Sequence, residues 1–387
     1  DGARAAVRVR QAADQPTVGL SGGFTRTNHV DEFGVPTPAG GLRIIYPDIP
    51  NNTHTRVSLQ WPIYTAGRAD ALERAARAEA AAAAADIETA RADLRLEVVR
   101  AYWALATATE AVAVLERALE RAEAHLADMR QRLAVGLVPP NEVLTVDAQR
   151  SRQRMLLIEA RNQREAASVD LARLVGLDPG TAVATSDALG PKAPTEAPAR
   201  LSDALAARPE RQALTLRIDG AAARHQAASA GRRPTVAVTG GVDYASPNPR
   251  IFPRADVWRE SWDLSVNATW TFWDGGRTDA EAAEAAAAER AVRARLADFD
   301  RLMASDLRQR QLDLDSADAA IAAAGDGVRA AAEARRVVAE RFTAGVATST
   351  EVLDADVALL QAELDRTRAL AARRLAEARL DRVMGRR

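Results

Sequence analysis

The stretch "RLAVGLVPPNEVLTVD" at residues 132–147 returns in outline as "RFTAGVATSTEVLDAD" at residues 341–356. The two copies lie 209 residues apart and share an arginine, a glycine, the run Glu-Val-Leu and an aspartate at matching positions. Such fixed spacing indicates an internal repeat, a feature that decides the architecture of a chain before any local prediction does.

Two further pairs of segments keep the same offset of 209. "WPIYTAGRADA" (61–71) matches "WTFWDGGRTDA" (270–280), and "LARLVG" (171–176) matches "LDRVMG" (380–385). The repeat needs no gap between Val57 and Gly176. An ungapped repeat of this length predicts two copies of one structural unit in which geometry fixes the helix lengths.

Each copy begins with a predicted strand hairpin, at 16–64 and at 234–273. "PTVGLSGG" (16–23) matches "PTVAVTGG" (234–241) at an offset of 218, so the loop between the strands is nine residues shorter in the second copy. The second strand of each hairpin alternates apolar and polar residues, over 56–63 and 262–272. The paired glycines of the first strands predict close packing or a bend.

The strands have the dimensions and the aromatic residues of membrane strands. Each is about ten residues long, the length that crosses a bilayer when tilted. Aromatic residues gather at the strand ends, as in the girdles of membrane barrels. The predicted membrane-interface aromatics are Trp61, Tyr64, Trp270 and Trp273.

A long helix follows each hairpin and then reverses into a shorter one. The long helices run from Gly67 or Gly276 to Gly136 or Gly345, 69 residues in each copy. At ~1.5 Å per residue this is roughly 100 Å. Apolar residues recur at coiled-coil intervals, as at Leu115, Leu119, Leu126, Met129 and Leu133.

We therefore divide the chain into two repeats, 1–200 and 201–387. The first comprises a first helix that we expect to be truncated, the hairpin 16–64, the long helix 67–135, the return helix 141–176 and a Pro-rich crossover 177–200. The second comprises the helix 201–231, the hairpin 234–273, the long helix 276–344 and the return helix 350–384. The helix 201–231 is expected to cover the part of the long helix that the return helix does not reach.

Composition excludes several function classes. The chain has 387 residues with 52 basic and 53 acidic side chains, which argues against nucleic-acid binding. It has no cysteine, so disulfide and thiol chemistry are excluded, which is compatible with an oxidising compartment. The sequence contains no run of about 18 apolar residues, so it predicts no transmembrane helix. The chain starts at Asp1, so we expect a fragment or a mature form.

No catalytic or cofactor motif is present. His29, His54, His125 and His225 are scattered without the spacing of metal ligands, and solvated histidines are the simpler interpretation. The sequence has no nucleophile elbow, Walker motif or dinucleotide fingerprint. We predict neither an enzyme nor a cofactor or metal site.

Four strands per chain constrain the assembly. Open sheet edges are not tolerated in lipid, and known membrane barrels begin at eight strands. If the strands cross a membrane, several chains must share one barrel. Three chains would supply twelve strands, with their helices lining a tube.

At this point the sequence resembles the TolC family of outer-membrane efflux proteins over nearly its whole length. The resemblance rests on the duplicated unit, on the tips of form GxxxxxEVLxxD and on the helix ends of form LxRxxG. It implies an α+β membrane protein: a homotrimer whose 12-stranded β-barrel, four strands per chain, lies in the lipid of the bacterial outer membrane. A long antiparallel α-helical coiled-coil barrel would continue it across the periplasm.

The resemblance also implies a function and partners. The protein would be the passive duct of a tripartite efflux or type I secretion system. An inner-membrane pump or ABC transporter would supply the energy, and a periplasmic adaptor (membrane fusion) protein would link the two. The substrate, the pump, the adaptor and the resting state of the mouth stay open.

The tips are the predicted adaptor contacts. Gly136 and Gly345 permit the turn between the helices, with Asn141 and Thr350 as expected helix caps. In the family the tips face the adaptor hairpin. The implied contact residues are Val135, Gly136, Leu137, Ala344, Gly345 and Val346. The alternative is that the glycines serve the turn alone.

Acidic residues follow each tip. Glu142, Glu351 and Asp354 lie in the first turns of the returning helices, where acids complement the helix dipole. Glu351 and Asp354 also share one face, and three copies would form an acidic ring at the periplasmic entrance that favours cations. The resemblance supports the ring, although Thr145 replaces the second acid in the first copy. We expect Asp147 and Asp356 to be solvated or paired.

Two other classes remain as alternatives. A periplasmic adaptor also has long helical hairpins and β elements, but it predicts one hairpin and no membrane-length strands with aromatic ends. A soluble coiled-coil scaffold leaves the four strands unexplained. An enzyme is the class that the sequence favours least.

Overall fold

The computed structural model describes residues 1–178, 180–185 and 200–386. Most of the predicted crossover 177–200 lies outside these residues. Within them the elements follow in the order α1 (Gly2–Gln11), β1 (Thr17–Arg26), β2 (Phe33–Pro36), β3 (Leu42–Tyr46), β4 (Asn51–Tyr64), α2 (Arg68–Ala134), α3 (Pro140–Leu174), α4 (Leu201–Ala207), α5 (Pro209–Ser229), β5 (Thr235–Ser246), β6 (Arg259–Thr269), α6 (Arg277–Thr343) and α7 (Ser349–Met384).

The chain divides into two compact units that differ from the sequence repeats. One unit is Asp1–Ala85 with Gln212–Ala297, and the other is Asp86–Arg211 with Asp298–Arg387. Each unit contains residues of both predicted repeats, because the equivalent elements of the two repeats pack side by side. The division into repeats at 200 and 201 stays a proposal.

Four strands form one antiparallel sheet in the order β1-β4-β5-β6. β4 of the first hairpin pairs with β5 of the second, with Val57 opposite Val242. β1 and β6 are left as edges within the chain. β4 spans 14 residues and is therefore longer than the predicted 56–63, whereas β6 ends at Thr269, before the predicted alternation to 272 ends.

The alternation of each strand gives the sheet one apolar and one polar face. The apolar face is largely exposed, with 76% of Leu20, 75% of Trp262 and 67% of Val266 accessible. The polar face carries arginine, aspartate, serine, asparagine and glutamine side chains. Since burial of apolar surface is the main driving force of folding in water, this exposure requires another apolar environment.

The loop of the first hairpin contains a second, small hairpin. β2 and β3 pair antiparallel between β1 and β4, where the sequence predicted only a loop between the two strands of the hairpin. The strands are short, and their period-2 signal is therefore weak. The small hairpin forms a sheet of its own, separate from the four-stranded sheet.

The segment 201–231 is two helices rather than the predicted one. Arg208 is extended (φ −81°, ψ 118°) and Pro209 begins α5. The break follows from Pro209, which has no amide hydrogen and disfavours the helical conformation in the residue before it. α5 packs on α2 through Ala82, Ala85 and Ala213, and α4 packs against α6 and α7.

α2 and α6 each have 67 residues, and their return helices α3 and α7 have 35 and 36. One window of α2 is long and apolar enough to cross a membrane by composition alone. The core helix of a protein that does not cross a membrane has the same length and composition. Charged residues interrupt α2, so the window is not a continuous apolar run. It therefore does not contradict the expectation that the sequence contains no such run.

Candidate functional site

Each hairpin tip begins with the same helix-ending turn. Gly136 and Gly345 have φ angles of +78° and +77°, which other residues adopt at a cost. In the first tip the N–H of Gly136 donates to the carbonyl of Leu133, and the N–H of Leu137 donates to that of Arg132. The second tip repeats both bonds. These are the bonds of a Schellman motif, so the predicted turn role of both glycines is confirmed.

The returning helix of the second tip starts with a capping box. Thr348 Oγ1 accepts the N–H of Glu351 at 3.3 Å, and Glu351 Oε1 accepts the N–H of Thr348 at 3.3 Å. Two amides that a helix start leaves without partners are thereby satisfied. The prediction of Thr350 as the cap is wrong, because the extended conformation ends at Thr348.

The returning helix of the first tip starts on proline. Pro139 is the extended cap residue, and Pro140 is the first helical residue. Proline suits that position because its nitrogen carries no hydrogen that would need a partner. No side chain caps this helix, so the predicted cap at Asn141, which lies inside α3, is wrong.

The arginine that precedes each tip has a different partner in the two copies. Arg341 Nη2 donates to the carbonyl of Val346 at 3.2 Å, within its own tip. Arg132 Nε donates to Asp128 Oδ2 at 2.9 Å, and its guanidinium lies 4.6 Å from the ring centre of Phe342. The arginine of the second tip therefore bonds within its own tip, whereas the arginine of the first tip packs on Phe342 of α6.

The two tips share one apolar core. Its buried members come from all four helices: Leu126, Met129, Val143, Val146, Phe342, Val352 and Leu353. Met129 is fully buried, and burial of such a side chain stabilises the fold by about 2–3 kcal/mol. The two tips thus lie side by side, so one partner could contact both of them.

The predicted contact residues lie on the outside of this core. All six are exposed: Val135, Gly136, Leu137, Ala344, Gly345 and Val346. Three of them are large apolar side chains, with exposed fractions of 71% for Val135, 71% for Leu137 and 64% for Val346. The tips therefore present an apolar surface on a rigid turn.

The three predicted ring acids have different environments. Glu351 is half-buried, engaged in the cap, and 3.8 Å from Arg341 Nη1. Asp354 is exposed and Glu142 is half-buried, and neither carboxylate has a partner among the described residues. The uncompensated charge near the tips is therefore that of Asp354 and Glu142, while the charge of Glu351 is partly balanced.

One turn beyond the second tip, Asp356 is a buried carboxylate that joins three helices. Its Oδ1 accepts a hydrogen bond from Arg335 Nε on α6 at 3.1 Å and lies 3.7 Å from Arg121 Nε on α2. Arg121 also lies 3.5 Å from Glu363. The expectation that Asp356 is paired is confirmed.

His125 lies in the same cleft, which has a volume of about 380 Å³. Its Nε2 is 3.1 Å from Ser349 Oγ, and its ring meets Phe342 edge to face. Burial lowers the pKa of His125 from its ordinary value of 6.5, against the attraction of Asp356. Burial thereby favours the neutral form of His125, and its contact with Ser349 joins α2 to the start of α7.

Asp147 occupies the position equivalent to Asp356 in the first repeat. It is paired with Arg150 and lies 3.8 Å from Arg130. The hydrogen bond from Arg150 lowers the pKa of Asp147. It is more exposed than Asp356, since 36% of its side chain is accessible against 7%.

The predicted interface aromatics lie at the end of the sheet that leads into the long helices. Trp61, Tyr64, Trp270 and Trp273 are all exposed. Trp61 Nε1 donates to the carbonyl of Asp14, and Trp270 Nε1 donates to that of Arg232, both at 3.1 Å. Each indole thereby ties the end of one strand to the turn that precedes its partner strand. The membrane-interface role stays a prediction.

Three of the four histidines have partners. The interpretation as a solvated side chain nevertheless holds for His29, 72% of whose side chain is exposed, and is wrong for His125, which is half-buried. His29 Nδ1 is 2.6 Å from Asp48, and His225 Nδ1 is 3.2 Å from Glu289. His125 has the contact described above. Among the described residues no group of three acidic or histidine side chains is arranged to hold a metal ion.

The sequence matches the family described as outer membrane efflux protein over residues 1–177 and 200–386. Protein CyaE of Bordetella pertussis is 29% identical over 279 residues, which are 70% of this chain and 55% of that protein. The chain thus spans about half the length of this curated relative.

Two solved structures have the same fold. A membrane protein from Pseudomonas aeruginosa matches with a TM-score of 0.83 at 22% identity, over 100% of this chain and 85% of the other. The outer membrane protein VceC from Vibrio cholerae matches with a TM-score of 0.79 at 20% identity, over 99% and 90%. Nothing in these matches supports the periplasmic adaptor alternative.

Proposed function

Because the chain belongs to the outer membrane efflux protein family, we propose that three copies form a passive export duct. Family membership places the protein in the bacterial outer membrane, with its helical part in the periplasm. The duct would carry small molecules or proteins outward, with energy from an inner-membrane pump or ABC transporter. An enzymatic function is not proposed, since members of the family are efflux channels.

The observation that carries the proposal is the four-stranded sheet with one exposed apolar face and two open edges. An apolar face of this kind suits lipid, and an unpaired strand edge cannot remain in lipid. A second copy that pairs its β1 with β6 of the first removes the edge. Three copies give the twelve strands of the proposed barrel, whose polar face would line the pore.

The helices support the same assembly, because equivalent surfaces are covered in one repeat and open in the other. Leu353 of α7 is 9% exposed beside α2, whereas its equivalent Leu144 of α3 is 68% exposed. α3 also exposes 61% of Met155 and 51% of Ile158. On α6, the equivalent of α2, Leu302 is 62% exposed. In a ring, α3 of one copy would pack on α6 of the next, as α7 packs on α2 within one chain.

The internal repeat predicts the strand register between copies. The pairing of Val57 with Val242 in β4 and β5 translates into a pairing of Val266 in β6 with Phe24 in β1 of the next copy. Both residues lie on the apolar face of their own strands. The translated register thus keeps apolar residues of neighbouring copies on one face, as a single repeated strand contact around the barrel requires.

The experiment uses the absence of native cysteine. We expect a chain carrying Val266→Cys and Phe24→Cys to form disulfide-linked dimers and trimers in isolated outer membranes, and the detergent-extracted protein to have the mass of a trimer. The matched control is Trp262→Cys with Phe24→Cys, on the same face but four residues along the strand, about 13 Å away. A monomeric mass, or equal cross-linking of both pairs, would contradict the proposed barrel.

We further propose that the tips bind a periplasmic adaptor and that the acids form a ring. The exposed apolar residues of the tips, their rigid turns and the family membership support an adaptor contact.

Three copies of Glu351, Asp354 and Glu142 would make the periplasmic entrance select for cations. In planar bilayers, Asp354→Asn should lower cation selectivity more than Glu351→Gln, because Arg341 already balances Glu351. An unchanged cation selectivity in a variant that also carries Glu142→Gln, with all three acids neutralised, would exclude the ring.

A further inference from the structure

The loop between β5 and β6, residues 247–258, folds onto the polar face of the sheet. Arg250 Nη2 lies 2.7 Å from Asp263 Oδ1 and 3.8 Å from Asp243 Oδ2. Asp263 alternates with the apolar Trp262 and Leu264, and Asp243 with Val242 and Tyr244, so both carboxylates are on the polar face. The loop reaches this face at the end of the sheet remote from α2 and α6.

Arg250 completes a neutral cluster of two arginines and two aspartates. Arg56 Nη1 donates to Asp243 at 2.5 Å, and Arg56 Nη2 donates to Asp263 at 2.8 Å. To reach both strands Arg56 crosses Gly241, where a Cβ would lie 2.8 Å from its guanidinium carbon. The predicted need for close packing at these glycines has its cause here. The cluster joins β4, β5, β6 and the loop.

Hydrogen bonds at three further loop residues hold the loop in place. Asn248 is 3% exposed, and its Nδ2 donates to the carbonyl of Arg259 and to Ser261 Oγ, both at 3.0 Å. Arg254 donates to Asn52 Oδ1 at 3.0 Å and to Tyr46 Oη at 2.8 Å. Ser246 Oγ donates to Asp256 Oδ1 at 3.0 Å. The loop is therefore held at residues 248, 250, 254 and 256.

We propose that loop 247–258 narrows the outer end of the pore and limits the size of the solutes that pass, with Arg250 as its positioning residue. The inference rests on the proposed barrel, in which the polar face lines the pore. Three copies of the loop would then lie over the lumen. Solutes that leave through the barrel would have to pass between these loops.

The first test compares two variants that remove the same charge from the same face. Arg250→Gln breaks the contact with Asp263 and should raise single-channel conductance and the size of the largest polyethylene glycol that enters the pore. Arg259→Gln is the control, since its side chain has no ion pair in the described part of the chain. We expect it to leave the size limit unchanged. Equal effects of both variants, or none from Arg250→Gln in conducting trimers, would overturn the proposal.

The second test keeps all four contacts of the loop intact. Phe252 is 71% exposed in the loop, and Phe252→Cys offers a single thiol there. Attachment of a bulky maleimide should reduce the current, with the cysteine-free parent as the reagent control. A current that does not change on complete labelling would place the loop outside the pore. Absence of any conducting trimer in the parent would instead refute the duct itself.

Discussion

The two hairpin tips have the same backbone and different side-chain surroundings. Both end their long helix on a left-handed glycine with the same pair of hydrogen bonds. The second tip is capped by Thr348 and Glu351 and backed by the buried Asp356. The first starts on Pro140 and leaves Leu144 exposed and Asp147 only half-buried. A duplicated turn therefore does not imply a duplicated environment, because only one copy is covered within the chain.

The largest expected effect separates the two aspartates. Asp356→Asn removes a buried charge that faces Arg335 and Arg121, and the loss of one partner of a buried pair costs about 3 kcal/mol or more. Unfolding of the detergent-purified protein, followed by helical circular dichroism, measures the change. Asp147→Asn at the equivalent, half-buried position is the control, with a much smaller expected loss. Equal losses at both positions would mean that the assembly buries Asp147 as deeply as Asp356.

The next effect should be the same in both tips. Gly136→Ala and Gly345→Ala each place a Cβ in the left-handed region, at a cost of about 1–2 kcal/mol. Neither Cβ would meet another atom within 4 Å, so the backbone alone sets the cost. Matching decreases in unfolding temperature would support the shared motif. A much larger loss at one tip would reveal a packing constraint that the two turns do not share.

A smaller effect should appear in the second tip alone. Thr348→Ala removes the hydroxyl that accepts the N–H of Glu351 in the capping box and should cost about 1 kcal/mol. Pro139→Ala, at the equivalent position, removes no side-chain cap and should change stability little. The same unfolding measurement compares them. If Pro139→Ala proves the more harmful, proline stiffness matters more in the first tip than capping does in the second.

The smallest effect is a pH dependence that belongs to His125, whose counterpart in the second repeat is Ala334. Burial lowers the pKa of His125 below 6.5 in the folded protein. Its contribution to stability is thus complete above pH 6.5 and is lost as pH falls through the folded pKa. Asp356 and Asp128 oppose this loss, and Arg132 and Arg335 favour it. His125→Gln should flatten the decline of unfolding temperature below pH 6.5, and an unchanged slope would exclude His125 as its source.

Much of the architecture was predictable because its signals are local. Gly136 and Gly345 fix where the long helices end, and alternation in 262–269 fixes which side chains share a sheet face. The positions of the helix caps were mispredicted, since Thr348 and Thr350 have the same local preference. The break at Arg208 was missed although Pro209 signals it. The small hairpin of β2 and β3 is too short to give a periodic pattern.

The sequence by itself determined the repeat, the long helices, the membrane-length strands and the exposed tips, because period, proline and glycine act within a few residues. Only the tertiary structure decided that Asp356 is buried while Asp147 is not, and that Arg250 lies over the polar face against Asp263. Burial and ion pairing depend on neighbours from other helices and strands. The spacing of residues along the sequence does not show which of these neighbours will be in contact.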